Sequence, residues 1–481
     1  MSWMQRPNRS LTEGAIGKTL WLFSLPVLAG NVLQSLNGSV NAIWVGHGLG
    51  EAALAASSNA NTILFFLIGT MFGMGMAANI LVGQSIGAKN LDQAKRTVGT
   101  SLTFFVVLSL LFAVLGLAFS ERMMAWMHMP PDALPLAVAY LRVIFLGIPF
   151  MYLLAFISMV LRGAGDARTP FLFLFLCVVL DITLNPLFIF GWGPVPRMGI
   201  AGSAMATLVA QVITVTAAIT YLYRSKHFLC LHRGEGHYLR IDPVILRALF
   251  VKGIPMGLQM IVMSLSMVAL IALVNRFGSQ TTSAYAACFQ LWNYIQMPGF
   301  AVGMAVSSMA AQNVGAGKWD RVHRVAMTGV AYNFLQTGVL VLLVYFFSRG
   351  AFGLFLPVDS PAIDIAQHIN AIVVWSFMFF GVSFVLAGVV RSTGAVVPPL
   401  VILFIALWLV RLPFAYTLVD RWQADAIWWS FPLGSLVSMS LSITYYRYGN
   451  WRSARMLQPA APAIPSVPAV AVAAVTEADA G

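Results

Sequence analysis

Twelve times along this chain of 481 residues, a long run of mostly apolar residues passes with almost no charge inside it. A helix of about 20 such residues crosses the hydrocarbon core of a bilayer. The runs fall at roughly 18–44, 54–82, 97–119, 135–159, 169–190, 199–223, 248–274, 282–310, 326–347, 365–388, 397–419 and 427–446, which predicts twelve transmembrane helices. A transmembrane β-barrel would show segments of about ten residues alternating in polarity, and these runs are longer and continuous. Composition points the same way. The chain is 59% hydrophobic and 9% charged, against about 25% charged in an ordinary soluble protein. A soluble enzyme, a nucleic-acid-binding protein and a disordered scaffold are therefore excluded. The fold class expected is an all-α membrane protein.

The net charge of +12 reflects orientation, not a polyanion partner. With both chain ends on one side, 20 of the 28 Lys and Arg fall in gaps on that side and five on the other. Positive residues concentrate on the cytoplasmic side of membrane proteins, so both termini are expected in the cytoplasm. Arg142, Lys252 and Arg411 sit within or at the edge of spans. Three scattered cysteines, Cys177, Cys230 and Cys288, make no disulfide framework. The first apolar run lacks a small-residue cleavage site and reads as a retained span.

The longest polar gap, about 224–247, divides the spans six and six. A shift of 228 lays Gly75–Arg96 on Gly303–Arg324, so that Gly75, Met76, Ala77, Gln84, Gly87, Ala88, Asp92 and Arg96 each meet an identical residue. Shifts of 227 to 229 also pair Pro26 with Pro255, Asp132 with Asp359, Arg162 with Arg391 and Gly165 with Gly394. Six is even, so the halves are parallel repeats with the site expected between them. The boundaries expected are 1–223 for the first half, 224–247 for a cytoplasmic linker, 248–447 for the second half and 448–481 for a disordered Ala/Pro-rich tail.

These residues resemble the multidrug and toxic compound extrusion (MATE) family, bacterial NorM/DinF type. The stretches that carry the resemblance are Pro26 through VGHGLGEAALAA, GQSIGA and AQNVGA after spans two and eight, LRGAGDARTP (Leu161–Pro170), NPLFIFG (Asn185–Gly191) and MGIAGSAMAT (Met198–Thr207). Together they cover about residues 15–447. The resemblance implies two six-helix lobes in a V around a central cavity. It also implies export of amphipathic, often cationic, drugs and toxic compounds in exchange for protons or sodium ions, in the bacterial inner membrane. The chain departs from the family pattern in three places. Asn41 stands where many members carry Asp in span one. Asp181 then Asn185 reverses the usual Asn-then-Asp order in span five. Met263 and Phe380 stand where the NorM-like branch places carboxylates.

Asp181 is the one carboxylate in the middle of a span; the other fifteen Asp and Glu lie in gaps, at span edges or in the tail. A charge at the bilayer centre costs about 2.5–3.5 kcal/mol on insertion scales, and such residues mark function. A low-dielectric site favours a neutral acid, so a carboxylate there can load a proton on one side and release it on the other. Asn185, four residues on, shares its face. Cation coupling is therefore assigned to Asp181, Asn185 and Asn41. Protons are favoured as the coupling ion over sodium, which wants more oxygen ligands.

Span one carries Asn31, Gln34, Asn37 and Asn41 within an arc of about 120°. Lipid cannot satisfy these amides, so that face lines a cavity or a partner helix. Pro26 removes a backbone hydrogen bond and is the expected hinge. On span seven Met256, Met260, Met263 and Met267 form a flexible thioether stripe suited to varied ligands, although the same spacing also fits ordinary packing. Span eight adds Gln290, Asn293 and Gln296. The substrate cavity is thus expected to draw on Asn31, Gln34, Asn37, Met260, Met263, Gln290, Asn293 and Gln296.

Other readings have less behind them. His227, Cys230, His232 and His237 match no zinc spacing, and no metal or other cofactor is expected. The GxxxG patterns at Gly69–Gly73 and Gly299–Gly303 favour close helix packing. No GxxxxGK[ST] loop is present, so ATP is not expected to drive the cycle. An intramembrane enzyme would need paired acids or a Ser/His arrangement in the spans. A lipid-linked precursor flippase would need a cationic cavity, and the spans hold few Lys or Arg. The partners expected are small organic substrates and the bilayer, with no nucleic acid, for a protein acting as a monomer.

Overall fold

The computed structural model describes residues 11–127, 133–191, 196–232, 234–353, 355–357 and 360–457, with the side chains at 47, 51, 52, 54 and 55 left aside. Among these residues every regular element is helical. Eleven stretches are long and apolar enough to cross a membrane. One of them, Pro243–Gly315, breaks at Asn275–Phe277 into two helices, which makes twelve crossings.

The first half comprises α1 (Ile16–Leu49), α2 (Glu51–Gly87), α3 (Leu91–Trp126), α4 (Leu134–Gly163), α5 (Arg168–Phe190) and α6 (Ile200–Arg224). The second comprises α7 (Pro243–Val274), α8 (Gly278–Gly315), α9 (Trp319–Phe346), α10 (Ala362–Val373 continuing as Ser376–Thr393), α11 (Val397–Phe404, Ile405–Arg411 and Leu412–Trp422) and α12 (Asp425–Tyr448). Several helices outrun their apolar runs by a turn or two, because polar residues at the membrane boundary remain helical when capped. At the start of α3, for example, the Asn90 side chain accepts from the Gln93 amide.

The two halves meet along α2, α7 and α8. A Cβ on Gly73 would collide with the backbone at Gly253 and Gly257, and one on Gly257 would come within 2.9 Å of the Gly69 carbonyl. Gly73 and Gly257 must be glycine for that approach, whereas a Cβ on Gly69 would meet nothing within 4 Å. Towards the face that carries both described chain ends, the contact obeys the internal repeat. Gln84 on α2 donates to the Ser392 carbonyl at the end of α10 at 2.6 Å, and its counterpart Gln312 on α8 donates to the Gly163 carbonyl at the end of α4 at 2.9 Å. A Cβ on Gly87 would collide with the Gln312 carbonyl, and one on Gly315 with the Gln84 carbonyl. Asn79 Oδ1 accepts from Ser308 Oγ across the same seam. The halves are sealed on this face by one pair of contacts used twice.

Helix α1 belongs to both halves. Its Leu20, Phe23 and Val27 are buried in a cluster with Val302, Ala305 and Val385 of the second half. Beyond Pro26 it packs on α5, where the Gly30 backbone lies against Leu174. The proline leaves the Leu22 carbonyl without its helical donor, yet α1 stays continuous through it.

The linker after α6 is fixed to the first half. Lys95 pairs with Glu235, Tyr238 Oη donates to Asp92 at 2.6 Å, and Thr103 donates to the Leu239 carbonyl at 2.8 Å. The hydrogen bond from Lys95 holds the Glu235 carboxyl below the usual carboxylate range. A depressed folded-state value stabilises above the unfolded pKa and is lost as pH falls through the folded one. Limited proteolysis of the linker is therefore expected to be slow at neutral pH and to accelerate only under acid, below the ordinary carboxylate range. E235Q should abolish that acid step.

Residues just past α12, expected to start a disordered tail, pack back instead. Trp451 is buried, stacks on Tyr446 and donates to its carbonyl at 2.7 Å. Large aromatic burial at a chain end outweighs the ordering cost there. Residues 458–481 of the expected tail lie outside the described residues.

Candidate functional site: a buried carboxylate beside a cavity

The sequence Asp181-Ile-Thr-Leu-Asn185 puts two polar side chains one turn apart on α5, and both are buried, Asp181 at 1% exposure. The polar face of α1 meets them. Asn37 and Asn41 each donate to Asp181 Oδ2, at 2.8 and 3.0 Å. On the other oxygen, Thr207 of α6 donates at 2.7 Å and Asn185 Nδ2 approaches at 3.4 Å. Asn185 also donates to Asn41 Oδ1 at 2.8 Å and to the Asp181 carbonyl at 2.9 Å. Four donors from three helices thus converge on one carboxylate. An ionised carboxylate only accepts, and this arrangement matches it.

Two acceptors in the cluster are left over. Asn37 Oδ1 and Asn185 Oδ1 are buried with no donor among the described residues. If Asp181 takes a proton, its O–H needs an acceptor, and either amide oxygen is at hand after a local rotation.

The carboxylate is close to open space without touching it. A cavity of about 280 Å³ is walled by α1, α2, α4 and α6, and Asn41 and Thr207 form part of its lining. Ser57, Asn61, Tyr140 and Gln211 supply most of its remaining polar wall, with aliphatic residues such as Val143 and Leu208 between them. No charged residue is part of its lining, and Asp181 lies behind Asn41 and Thr207, both of which donate to it.

Asp181, Asn185, Asn41 and Asn37 are therefore brought into one cluster. Asn31 and Gln34 lie nearer the hinge on α1, half-buried and exposed, and make no hydrogen bond within the protein among the described residues. Met260, Met263, Gln290 and Asn293 are half-buried in the second half and do not line the cavity beside Asp181. Gln296 donates back to the Trp292 carbonyl at 3.4 Å and borders a small void among Phe300, Phe377, Phe380 and Phe384. Sequence reading passed over Thr207, Tyr140 and Gln211. Thr207 offered only a weak signal, because a helical Thr commonly bonds its own preceding turn, and Thr207 does so as well at 3.3 Å.

The MatE family profile matches residues 26–187 and again 255–417. The chain belongs to the MATE family. Both halves match, as the internal repeat requires, and the twelve helices are those of a multi-pass MATE transporter. The probable multidrug resistance protein YoeA of Bacillus subtilis (strain 168) is 36% identical over 91% of this chain and 95% of its own length. The probable multidrug resistance protein YpnP of the same organism is 33% identical over 92% of this chain and 98% of its length. Among solved structures, an outward-facing multidrug resistance MATE family transporter superposes with a TM-score of 0.84 at 21% identity, covering 92% of this chain and 97% of that one.

Proposed function

We propose that this MATE transporter exports amphipathic, cationic small molecules from the cytoplasm of a bacterium in exchange for protons, with both termini on the cytoplasmic side of the inner membrane. The observation that carries the reading is the Asp181 cluster: one membrane-buried carboxylate, held by donors from α1, α5 and α6, at the edge of a cavity. Family membership and the multidrug resistance relatives support export as the direction of transport.

With both ends cytoplasmic, the Gln84–Ser392 and Gln312–Gly163 seal closes the inner side, and the cavity beside Asp181 serves the outward state. A proton arriving from outside lands on Asp181. Protonating Oδ2 neutralises the oxygen shared by Asn37 and Asn41 and turns it into a donor, so α1 loses its charge-assisted hold on α5. The part of α1 before Pro26 stays packed on the second half, which leaves the segment beyond Pro26 free to tilt and expel the compound. Deprotonation to the cytoplasm restores the four-donor cluster. The fixed residues do the switching, and no other ionisable group is needed in the core of this half.

A sodium-coupled exchange is the second reading. The unpartnered Asn37 Oδ1 and Asn185 Oδ1 beside the carboxylate favour it, since sodium takes several oxygen ligands. Ethidium transport into or out of proteoliposomes separates the two. An imposed pH gradient is expected to drive it without sodium, and a sodium gradient at equal pH to leave it at background. Transport driven by sodium alone would move the assignment to the second reading.

A further inference from the structure

Both described chain ends return to the face that carries the seal and land on the residues that form it. Leu11 is 1% exposed, and its backbone amide donates at 3.3 Å to Oε1 of Gln312, the side chain whose Nε2 crosses to the Gly163 carbonyl. Asn313 Nδ2 donates to the Leu11 carbonyl at 3.2 Å. Lys318 and Arg321, where α9 begins, donate to the carbonyls of Thr12 and Glu13 at 3.1 and 2.8 Å. The other chain end takes the other seal contact. Thr393, next to the Ser392 carbonyl that receives Gln84, donates to the Trp451 carbonyl at 2.8 Å. Gly394 follows with φ at +105°, and a Cβ there would collide with the backbone of Arg455 and Met456.

The apolar side chains show which motion these ends oppose. Leu11 is buried in a cluster drawn mainly from the second half, which also takes in Ala167 from the α4–α5 turn of the first. Met456, 2% exposed, is buried in a cluster drawn mainly from the first half, which also takes in Val396 from the α10–α11 turn of the second. A motion that parts the halves on this face draws Ala167 and Val396 out of these clusters and brings water to Leu11 and Met456. The bonds from Lys318 and Arg321 are exposed and weigh little, because water offers the same groups comparable bonds. Burial decides the matter: one Leu or Met side chain taken out of water shifts an equilibrium about tenfold to a hundredfold.

We infer that the two chain ends form a strap across the inner face: Leu11–Glu13 and Trp451–Met456 favour the closed state there and must let go before the halves part. The Leu11 N–H also fixes which end of the Gln312 amide faces Gly163, because the amide oxygen is already taken. The strap touches no member of the Asp181 cluster. It therefore sets how often the inner side opens, and leaves the choice of coupling ion to Asp181. That the strapped face is the inner one rests on the orientation proposed above; the strapping itself does not.

Electron–electron distance measurements between spin labels at the inner ends of α2 and α8, on the full-length protein in nanodiscs, read the separation of the halves without any need for transport. L11S and M456S should each raise the ratio of open to closed populations about tenfold or more, and the double variant should exceed either. L11M and M456L, which keep the apolar contact, should keep the native distribution. T393V removes the bond to the Trp451 carbonyl from an otherwise intact core and should shift the ratio the same way, about 2- to 10-fold; it covers the case in which the serine variants fail to fold. Native distributions in every serine or valine variant that folds would overturn the inference and make both ends passive anchors. Shifts in L11M and M456L as large as those in L11S and M456S would overturn it too, since apolar burial would then not be the cause. Absence of pH-driven ethidium transport by the native protein would instead count against the proposed exchange, and the distances would still decide on the strap.

Discussion

Replacing Asp181 by Asn is expected to abolish transport driven by a pH gradient while leaving the protein folded. The amide keeps the size of the carboxyl but offers one accepting oxygen in place of two. Two donors of the four then face an N–H. Asn37 can resolve the conflict by rotating, since its Oδ1 has no donor among the described residues. The loss of charge-assisted hydrogen bonds is offset in part by the removal of a buried charge, whose isolation from water is itself costly. Thermal stability should accordingly move by only a few degrees, whereas the coupling, worth roughly 5- to 150-fold in systems of this kind, should vanish. Reconstituted D181N protein, given a pH jump and a fluorescent cation, reads the first quantity, and a melting curve in detergent reads the second. Undiminished pH-driven transport by D181N would remove Asp181 from the mechanism. A collapse in stability with residual coupling in the folded fraction would make the side chain structural.

How much of this was legible beforehand follows from range. The helices were legible because hydrocarbon demands about 20 apolar residues per crossing, and the doubling was legible because Gln84, Gly87, Gln312 and Gly315 repeat at one offset. Asp181 stood out because nothing else in mid-span carries a negative charge. Its donors on α1 were foreseeable as a polar face, but only the fold brings Thr207 from α6 onto the same carboxylate at 2.7 Å. A cavity was expected, but with other walls: none of the residues assigned to it from the sequence lines the one beside Asp181. Its wall draws on four helices whose serines, threonines and amides are spread from Asn41 to Gln211, and no spacing along the chain relates them.

Alanine at Gly87 or at Gly315 is expected to open the seal between the halves. A Cβ at either position would collide with a backbone carbonyl on the opposite half, of Gln312 in one case and Gln84 in the other. A flexible side chain could swing away from such an intrusion; a carbonyl anchored in α2 or α8 can yield only if the helices part. Overpacking of this kind costs about 1–3 kcal/mol. Each 1.4 kcal/mol shifts a two-state population tenfold, so the sealed conformation should become about 5- to 150-fold less favoured in each variant. The strain is relieved in any conformation in which α2 and α8 separate on this face, so the protein has a folded state to move into. G69A serves as the control. Gly69 lies on the same helix as Gly87, and a Cβ there meets nothing within 4 Å. Spin labels placed on the ends of α2 and α8 near the seal would report the separation as a longer inter-label distance in G87A and G315A and an unchanged one in G69A. Transport should fall in the first two and persist in the third, because an alternating cycle needs the sealed state to be populated. Since the two glycines are related by the repeat, the variants should behave alike; native distances and native transport in G87A would mean that the seal is a passive contact.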